Sequence, residues 1–294
     1  MANAAPVEKL FTSTQPGRAM AERFVAGDTL DSAVDAARIL NEAGFTVSLD
    51  LLGEEVTDVD SAGSAVDEYL SCLDRIESEE LVANISIKPT QLGLAIEESL
   101  ASEAIIRLGK RAAEIGTTVT IDMEDSRYTE ATVRLFELGQ TETANFGVAL
   151  QSYMKRTPAD LDRLIPLGGH IRLCKGAYVE PEEVAIQSKA IVDAAFERQM
   201  RTLMAAVTTT PAIATHDSKL LETARALASR RTAPFEFQML YGVRSDVQRE
   251  LVAAGFPLRV YLPFGSQWYP YLTRRLAERP SNAWFFARAL LSGS

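Results

Sequence analysis

Near the C-terminal end of the 294-residue sequence, Tyr271, Arg274, Arg275 and Glu278 recur at spacings of three, one and three. On an α-helix, at about 100° per residue, these four share one sector of roughly 100°. Two adjacent guanidiniums beside a tyrosine suit the gripping of a carboxylate or phosphate, because arginine offers its donors as a flat fork. An ordinary outer helix with a solvated charged face would show the same spacing, so spacing alone does not decide between the two.

Other groups able to do chemistry lie in short apolar runs. Lys88 closes ISIK, Arg172 and Lys175 lie in HIRLCKGAY, and with the arginine pair these cations could converge on an anion. Lys88 reads either as a Schiff-base amine, which needs a desolvated group of lowered pKa, or as a charge anchor for an anionic substrate. Asp122 and Glu124 alternate in TIDME, which places them on one face of a strand as an acid/base couple or a metal pair. The metal alternative lacks further carboxylates and histidines. His216 in ATHD is a general base, a cofactor hydrogen-bonding group or a cap for the helix that follows. Asp50, Glu54, Gln151, Gln238 and Tyr261 complete the set of polar side chains near strand ends. Each has the plainer alternative of pairing with a neighbour inside the fold.

The elements that must position these residues recur regularly. FTVSLDLLG (45–53), ANISIKP (83–89), TVTIDME (118–124), FGVALQS (146–152), HIRLCKGAY (170–178), AIATH (212–216), FEFQML (235–240) and LRVYLPFG (258–265) read as strands. Segments between them, such as 94–115 and 182–206, carry apolar residues at three- and four-residue intervals, as amphipathic helices do. Eight alternations predict an α/β chain of the (β/α)8 TIM-barrel type, whose functional residues gather at the carboxyl ends of the strands. A doubly wound sheet binding a dinucleotide would carry a glycine-rich loop after its first strand, and GEEV is not one. About 16–43 reads as two helices, which predicts an N-terminal helical extension over 1–44 covering a barrel over 45–294, all in a single domain.

Bulk properties narrow the class. A hydrophobic content of 47% is ordinary for a globular chain, and no apolar run approaches the roughly 20 residues of a membrane span. The first residues lack a secretory pattern, so a cytoplasmic location is expected. A net charge of −10 argues against a nucleic-acid partner, which needs clustered cations. Cys72 and Cys174 show no metal spacing and read as reduced thiols, and no metal site is expected.

The stretch YLPFGSQWYPYLTRRLAERPSN resembles the C-terminal signature of the proline dehydrogenases, flavoenzymes found alone or within bifunctional proline-catabolic proteins. The resemblance extends upstream, in order, through LDLLGEEV, SIKPTQLG, TIDMED, LQSYMKR, IRLCKGAY, ATHD and FEFQMLYG, covering about 45–290. It implies a distorted (β/α)8 barrel with its last helix over the carboxyl-terminal face. It also implies FAD as cofactor, L-proline as substrate, pyrroline-5-carboxylate as product and a membrane quinone as electron acceptor. A peripheral encounter with the inner face of the cell membrane follows from that acceptor.

By the same resemblance, Arg274 and Arg275 would clamp the substrate carboxylate, with Lys88 as a third positive charge. Tyr261, Tyr271, Leu240, Ala177 and Tyr178 would wall the pyrrolidine ring, and Glu54 would pair with Arg275 as a gate. Gln151, Arg172, Lys175, Gly176, Ala177, Thr215, His216, Gln238 and Glu278 match positions that contact FAD, and Leu240 and Arg275 would border it as well. Asp122 would lie near the reacting centre, and Arg172 would favour negative charge on the reduced flavin. Asp217, Val179 and Tyr241 depart from the family pattern, where asparagine, an aromatic and histidine are common. The motifs in this sequence include none of an aldehyde dehydrogenase or DNA-binding portion, so the resemblance implies the monofunctional form as the expectation. The alternative is a Schiff-base aldolase or lyase of the same barrel class, with Lys88 as the amine.

Overall fold

The computed structural model describes residues 21–53 and 55–277, with the side chains of 274–277 outside that description. Eight parallel strands close into a barrel in sequence order: β1 (Thr46–Leu51), β2 (Ala83–Ile87), β3 (Val119–Ile121), β4 (Phe146–Gln151), β5 (His170–Cys174), β6 (Thr210–Ala214), β7 (Glu236–Leu240) and β8 (Leu258–Phe264). Every predicted strand is present. The helices are α1 (Leu30–Glu42), α2 (Val59–Ser78), α3 (Glu98–Glu114), α4 (Thr129–Glu142), α5 (Thr157–Leu164), α6 (Lys189–Ala205), α7 (Ser218–Ala228), α8 (Ser245–Ala253) and α9 (Trp268–Ala277). Among the described residues, no helix is long and apolar enough to cross a membrane.

The strand sequences explain the two faces of the barrel. Val47, Leu49, Ile85, Ile87, Val119, Ile121, Val260 and Leu262 are fully buried and join one core with the inner faces of the helices. The residues alternating with them are polar: Ser48 and Asp50, Asn84 and Ser86, Thr120 and Asp122, Arg259 and Tyr261. A two-residue period therefore sends apolar side chains outward under the helices and hydrogen-bonding side chains into the lumen. His170 also points inward and needs space: a Cβ on Gly147, opposite it in β4, would lie 2.0 Å from its ring.

α1 packs against β1 and β8, with Ala33, Val34 and Ala37 fully buried. It fills the gap in the helix ring outside the β8–β1 seam, covering the barrel's wall. Among residues 21–43 it is the one helix longer than a turn; the rest of the segment predicted as two helices lies outside the described residues. α9 does not take that slot. Its Trp268, Tyr271 and Leu272 pack with Ala21, Phe24, Val25 and Leu52, against Val243 and Tyr261, at the carboxyl end of the barrel. Backbone bonds fasten the same region: Ala26 N–H donates to Pro263 C=O and Gly265 N–H to Gly27 C=O, each at 2.9 Å.

Candidate active site

The strand ends bring four charged side chains together below the barrel mouth. Asp50 comes from β1, Lys88 from the residue after β2, Asp122 from the residue after β3 and Arg172 from the middle of β5; all four are buried. Pro89 begins a 3-10 turn straight after Lys88, and that turn ends at Gly93 in the left-handed region, φ 92°, which turns the chain away from the lumen.

The Lys88 ammonium donates to Asp50 and lies 3.9 Å from Asp122 Oδ2. Burial works against its charge, but Asp50 and Asp122 outweigh burial and hold its pKa above the ordinary lysine value. A Schiff-base lysine requires the opposite shift, so these surroundings count against the aldolase alternative. Asp122 accepts from Arg172 and from the Ser86 hydroxyl at 2.7 Å through Oδ1, and from the Tyr261 hydroxyl at 2.6 Å through Oδ2. Arg172 Nη1 also donates to Ser86 Oγ at 2.9 Å, and its guanidinium lies over the Tyr261 ring, 5.0 Å from the centroid. Burial, followed by the charges of Asp122 and Asp50, pushes the Tyr261 phenol well above its usual range, which keeps it a donor.

A second group lies along the ends of β4 to β7. Gln151 spans two backbones: its amide nitrogen donates to Glu124 C=O at 2.9 Å, and its oxygen accepts from Ala177 N–H at 3.1 Å. His216 Nε2 accepts from Leu240 N–H at 3.0 Å, which leaves the proton of a neutral ring on Nδ1. Thr215 Oγ1 accepts from Asp217 N–H at 3.1 Å, and Gln238 Oε1 accepts from Arg172 Nε at 2.5 Å. Gly176 takes φ 132°, and a Cβ there would meet the Tyr153 ring at 2.3 Å, so this backbone needs glycine. Gly176 and Ala177 are exposed, Tyr178 and Leu240 partly so.

Two expectations differ from the observed arrangement. Lys175 does not converge with Lys88 and Arg172; it pairs with Asp193 and with Asp217, at 3.0 Å from the latter, at the outer edge of the strand ends. Glu124 is not paired side by side with Asp122, although its charge, like that of Asp122, favours the charged form of Lys88. The β3 strand stops at Ile121, alternation is lost, and Glu124 instead accepts from the Thr90 backbone at 2.9 Å and hydroxyl at 2.5 Å. Asp217, one of the departures from the resemblance, is the cap of α7, accepting from Lys219 N–H at 3.0 Å. Tyr271 is buried in the cluster beneath α9. Glu54, the side chains of Arg274 and Arg275, and Glu278 lie outside the described residues. Sequence reasoning passed over Ser86, whose hydroxyl touches both Asp122 and Arg172; its place two residues before Lys88 in an alternating strand was the available signal. Among the described residues, no group of three or more His, Cys, Asp or Glu is placed to hold a metal.

Comparison with known proteins gives this geometry its family. The family model described as Proline dehydrogenase matches residues 33–288. Proline dehydrogenase 2 of Bacillus subtilis is 38% identical over 271 residues, covering 91% of this chain and 89% of that protein. Proline dehydrogenase of Deinococcus radiodurans is 35% identical over 282 residues, covering 93% and 91%. Among solved structures, proline utilization A from Bdellovibrio bacteriovorus, inactivated by N-propargylglycine, superposes with a TM-score of 0.82 at 23% identity. That likeness covers 88% of this chain and 32% of the longer protein, and it bears on the fold. A match over most of the sequence, relatives of nearly the same length and a shared closed barrel place the chain in the proline dehydrogenase family.

Proposed function

We propose that this chain is an FAD-dependent proline dehydrogenase, oxidising L-proline to pyrroline-5-carboxylate and passing the electrons to a membrane quinone. The observation that carries the reading is the buried charged floor at the strand ends, Lys88 and Arg172 interleaved with Asp50 and Asp122, in a chain of this family. The donor set along β4 to β7 fits a flavin nucleotide. The guanidinium of Arg172 and the Nδ1–H of His216 are donors, the Thr215 hydroxyl can serve as one, and acceptor-rich rings and phosphates require such groups. Gly176 and Ala177 lie exposed after β5, where a bound nucleotide would meet their backbone, while the side on which Gly176 lacks a Cβ is taken by the Tyr153 ring.

When bound, FAD would supply the acceptor for the electron pair of the C–H bond broken beside the ring nitrogen, leaving a cyclic imine. The protein binds and orients. Lys88 would offer a fixed positive charge to the substrate carboxylate, held in place by Asp50. Arg274 and Arg275 would complete the clamp from α9, and Glu54 would close over it through Arg275. Tyr261, Tyr271, Leu240, Ala177 and Tyr178 would exclude water from the ring and fit its shape. Asp122 would hold Arg172 and the Tyr261 hydroxyl at fixed positions, and Arg172 would stabilise negative charge that develops on its cofactor side. Gln151, Lys175, Gly176, Thr215, His216, Gln238 and Glu278 would hold FAD along the strand ends. We also propose the division at residue 44, with 1–44 as an extension of a single barrel domain.

Purified protein loaded with FAD and mixed anaerobically with L-proline tests the reading. Bleaching of the flavin spectrum supports it; flavin that proline leaves oxidised overturns it. Borohydride should trap no substrate on Lys88. Reoxidation of the bleached protein by a short-chain quinone in the presence of anionic vesicles tests the acceptor, and failure to reoxidise removes the quinone from the proposal.

A further inference from the structure

The glutamine that touches Arg172 is itself oriented from below. Gln238 Oε1 accepts from Arg172 Nε, while Gln238 Nε2 donates to Glu236 Oε1 at 2.6 Å. The two ends of a primary amide are alike in size and opposite in hydrogen-bonding sense. In a flipped Gln238, an NH₂ would face the Arg172 N–H and an oxygen would face the Glu236 carboxylate. Both meetings are repulsive, so the carboxylate determines which end of Gln238 meets Arg172.

Glu236 is fixed in turn. Arg259 Nε reaches its two oxygens at 2.9 and 3.2 Å, and Arg259 Nη1 donates to Val47 C=O at 2.9 Å and to Asn84 Oδ1 at 3.2 Å. Burial pushes the Glu236 carboxyl upward, but Arg259 and the Gln238 amide outweigh it and hold the group below the usual range, an acceptor only. Glu236 and Gln238 alternate along β7, so both enter the lumen, and Arg259 stands opposite Gln238 in the β7–β8 register.

The Nε contact matters because of what else holds Arg172. Nη1 is bound by Asp122 and Ser86, whereas Nη2, among the described residues, has only Ser48 Oγ at 3.5 Å. A planar guanidinium anchored at Nη1 alone can rotate about that contact; a second anchor at Nε fixes its plane and the direction in which Nη2 points.

We propose that Glu236, held by Arg259, is a positioning residue for Arg172 that acts through the amide of Gln238. This rests on the function proposed above, in which Arg172 faces the flavin.

The test uses the FAD-loaded protein and three readouts: the midpoint potential of the bound flavin, the rate of its anaerobic reduction by proline, and the thermal unfolding midpoint. Glu236→Gln is expected to slow reduction on the order of tenfold, within the coupling seen for residues of one hydrogen-bond network, and to shift the flavin potential. Gln238→Met, which removes the relay, should produce the same shift, and adding Glu236→Gln to it should move neither potential nor rate further. A merely structural Glu236 would lower the unfolding midpoint, leave the potential at its wild-type value, and do so in either background; that result overturns the proposal. If Glu236→Gln does not fold, Gln238→Met alone decides, because a wild-type potential in that variant breaks the relay. Failure of the functional reading is separable: wild-type protein whose flavin proline does not reduce removes the enzyme assignment, while the potentials still report on the relay.

Discussion

Neutralising Lys88 should cost stability that neutralising Asp50 as well restores. The floor holds two carboxylates and two cations, with side-chain exposures of 1% for Asp50, 13% for Asp122, 8% for Lys88 and 7% for Arg172, so their charges cancel. Asp50 is the least entangled of the four, since Oδ1 meets Lys88 and, among the described residues, the buried Oδ2 has no hydrogen-bond partner. Lys88→Met strands a buried carboxylate, and breaking a buried pair from one side costs about 3–5 kcal/mol. With about 2.1 cal/mol/K of unfolding entropy per residue over 294 residues, roughly 0.6 kcal/mol/K in total, that loss lowers the melting midpoint by about 5–8 °C. Asp50→Asn alone should also lower the midpoint, for the opposite reason, a buried ammonium left with Asp122 Oδ2 at 3.9 Å as its nearest counter-charge. The double variant, with one charge of each sign gone, should lie closer to wild type than either single variant, because replacing both members of a buried pair is often neutral. Scanning calorimetry at matched flavin loading and without proline reads all four proteins, since bound ligand would add stability of its own. If the two losses simply add in the double variant, or if Lys88→Met melts with the wild type, the charge-cancelling account of the floor is wrong.

Other expectations concern single side chains. Arg275→Met should weaken proline binding by about 2–5 kcal/mol, as for a buried charge partner removed, and leave FAD content intact, read by titration and by flavin absorbance. Tyr271→Ser should reduce discrimination between proline and hydroxyproline, read as the ratio of their kcat/KM values; an unchanged ratio removes Tyr271 from the pocket wall. Burial lowers the pKa of His170 from 6.5 to about 4, so the unfolded chain binds the extra proton between those values. His170 therefore contributes stability in full above pH 6.5 and loses it as pH falls toward about 4. Urea unfolding at pH 7 and pH 5 should show that loss, and His170→Gln should flatten it. A Gly147→Ala variant places a methyl 2.0 Å from the His170 ring and should cost about 1–3 kcal/mol in the same assay.

The strands were legible because each alternates apolar and polar residues at period two, and the helices because their apolar stripes recur at three and four. Alternation also identified which polar residues share the lumen, which is why Lys88, Asp122, Arg172, Gln238 and Tyr261 meet as a set. It failed where a strand ends. Glu124 was placed beside Asp122 by a pattern that stops at Ile121, and the chain there follows the 3-10 turn around Thr90 instead. Partners across the barrel were illegible for a different reason. Lys175 meets Asp193 and Asp217, which are 18 and 42 residues further along the chain, and no local spacing predicts either pairing. Glu236 had the same inward register as Gln238, but its ion pair with Arg259 joins adjacent strands and appears only when the barrel is closed.

The seam between β1 and β8 joins residues 212 positions apart, as in the bond from Arg259 to Val47. α1 packs across that seam, so its apolar face has only half of its docking surface until the last strand arrives. Closing so long a loop sets a slow step in folding, since its entropy must be lost before those contacts form. A chain emerging from the ribosome therefore carries α1 and the outer face of β1 incompletely covered through almost its whole synthesis, which is the interval in which a holdase would find an apolar surface to bind.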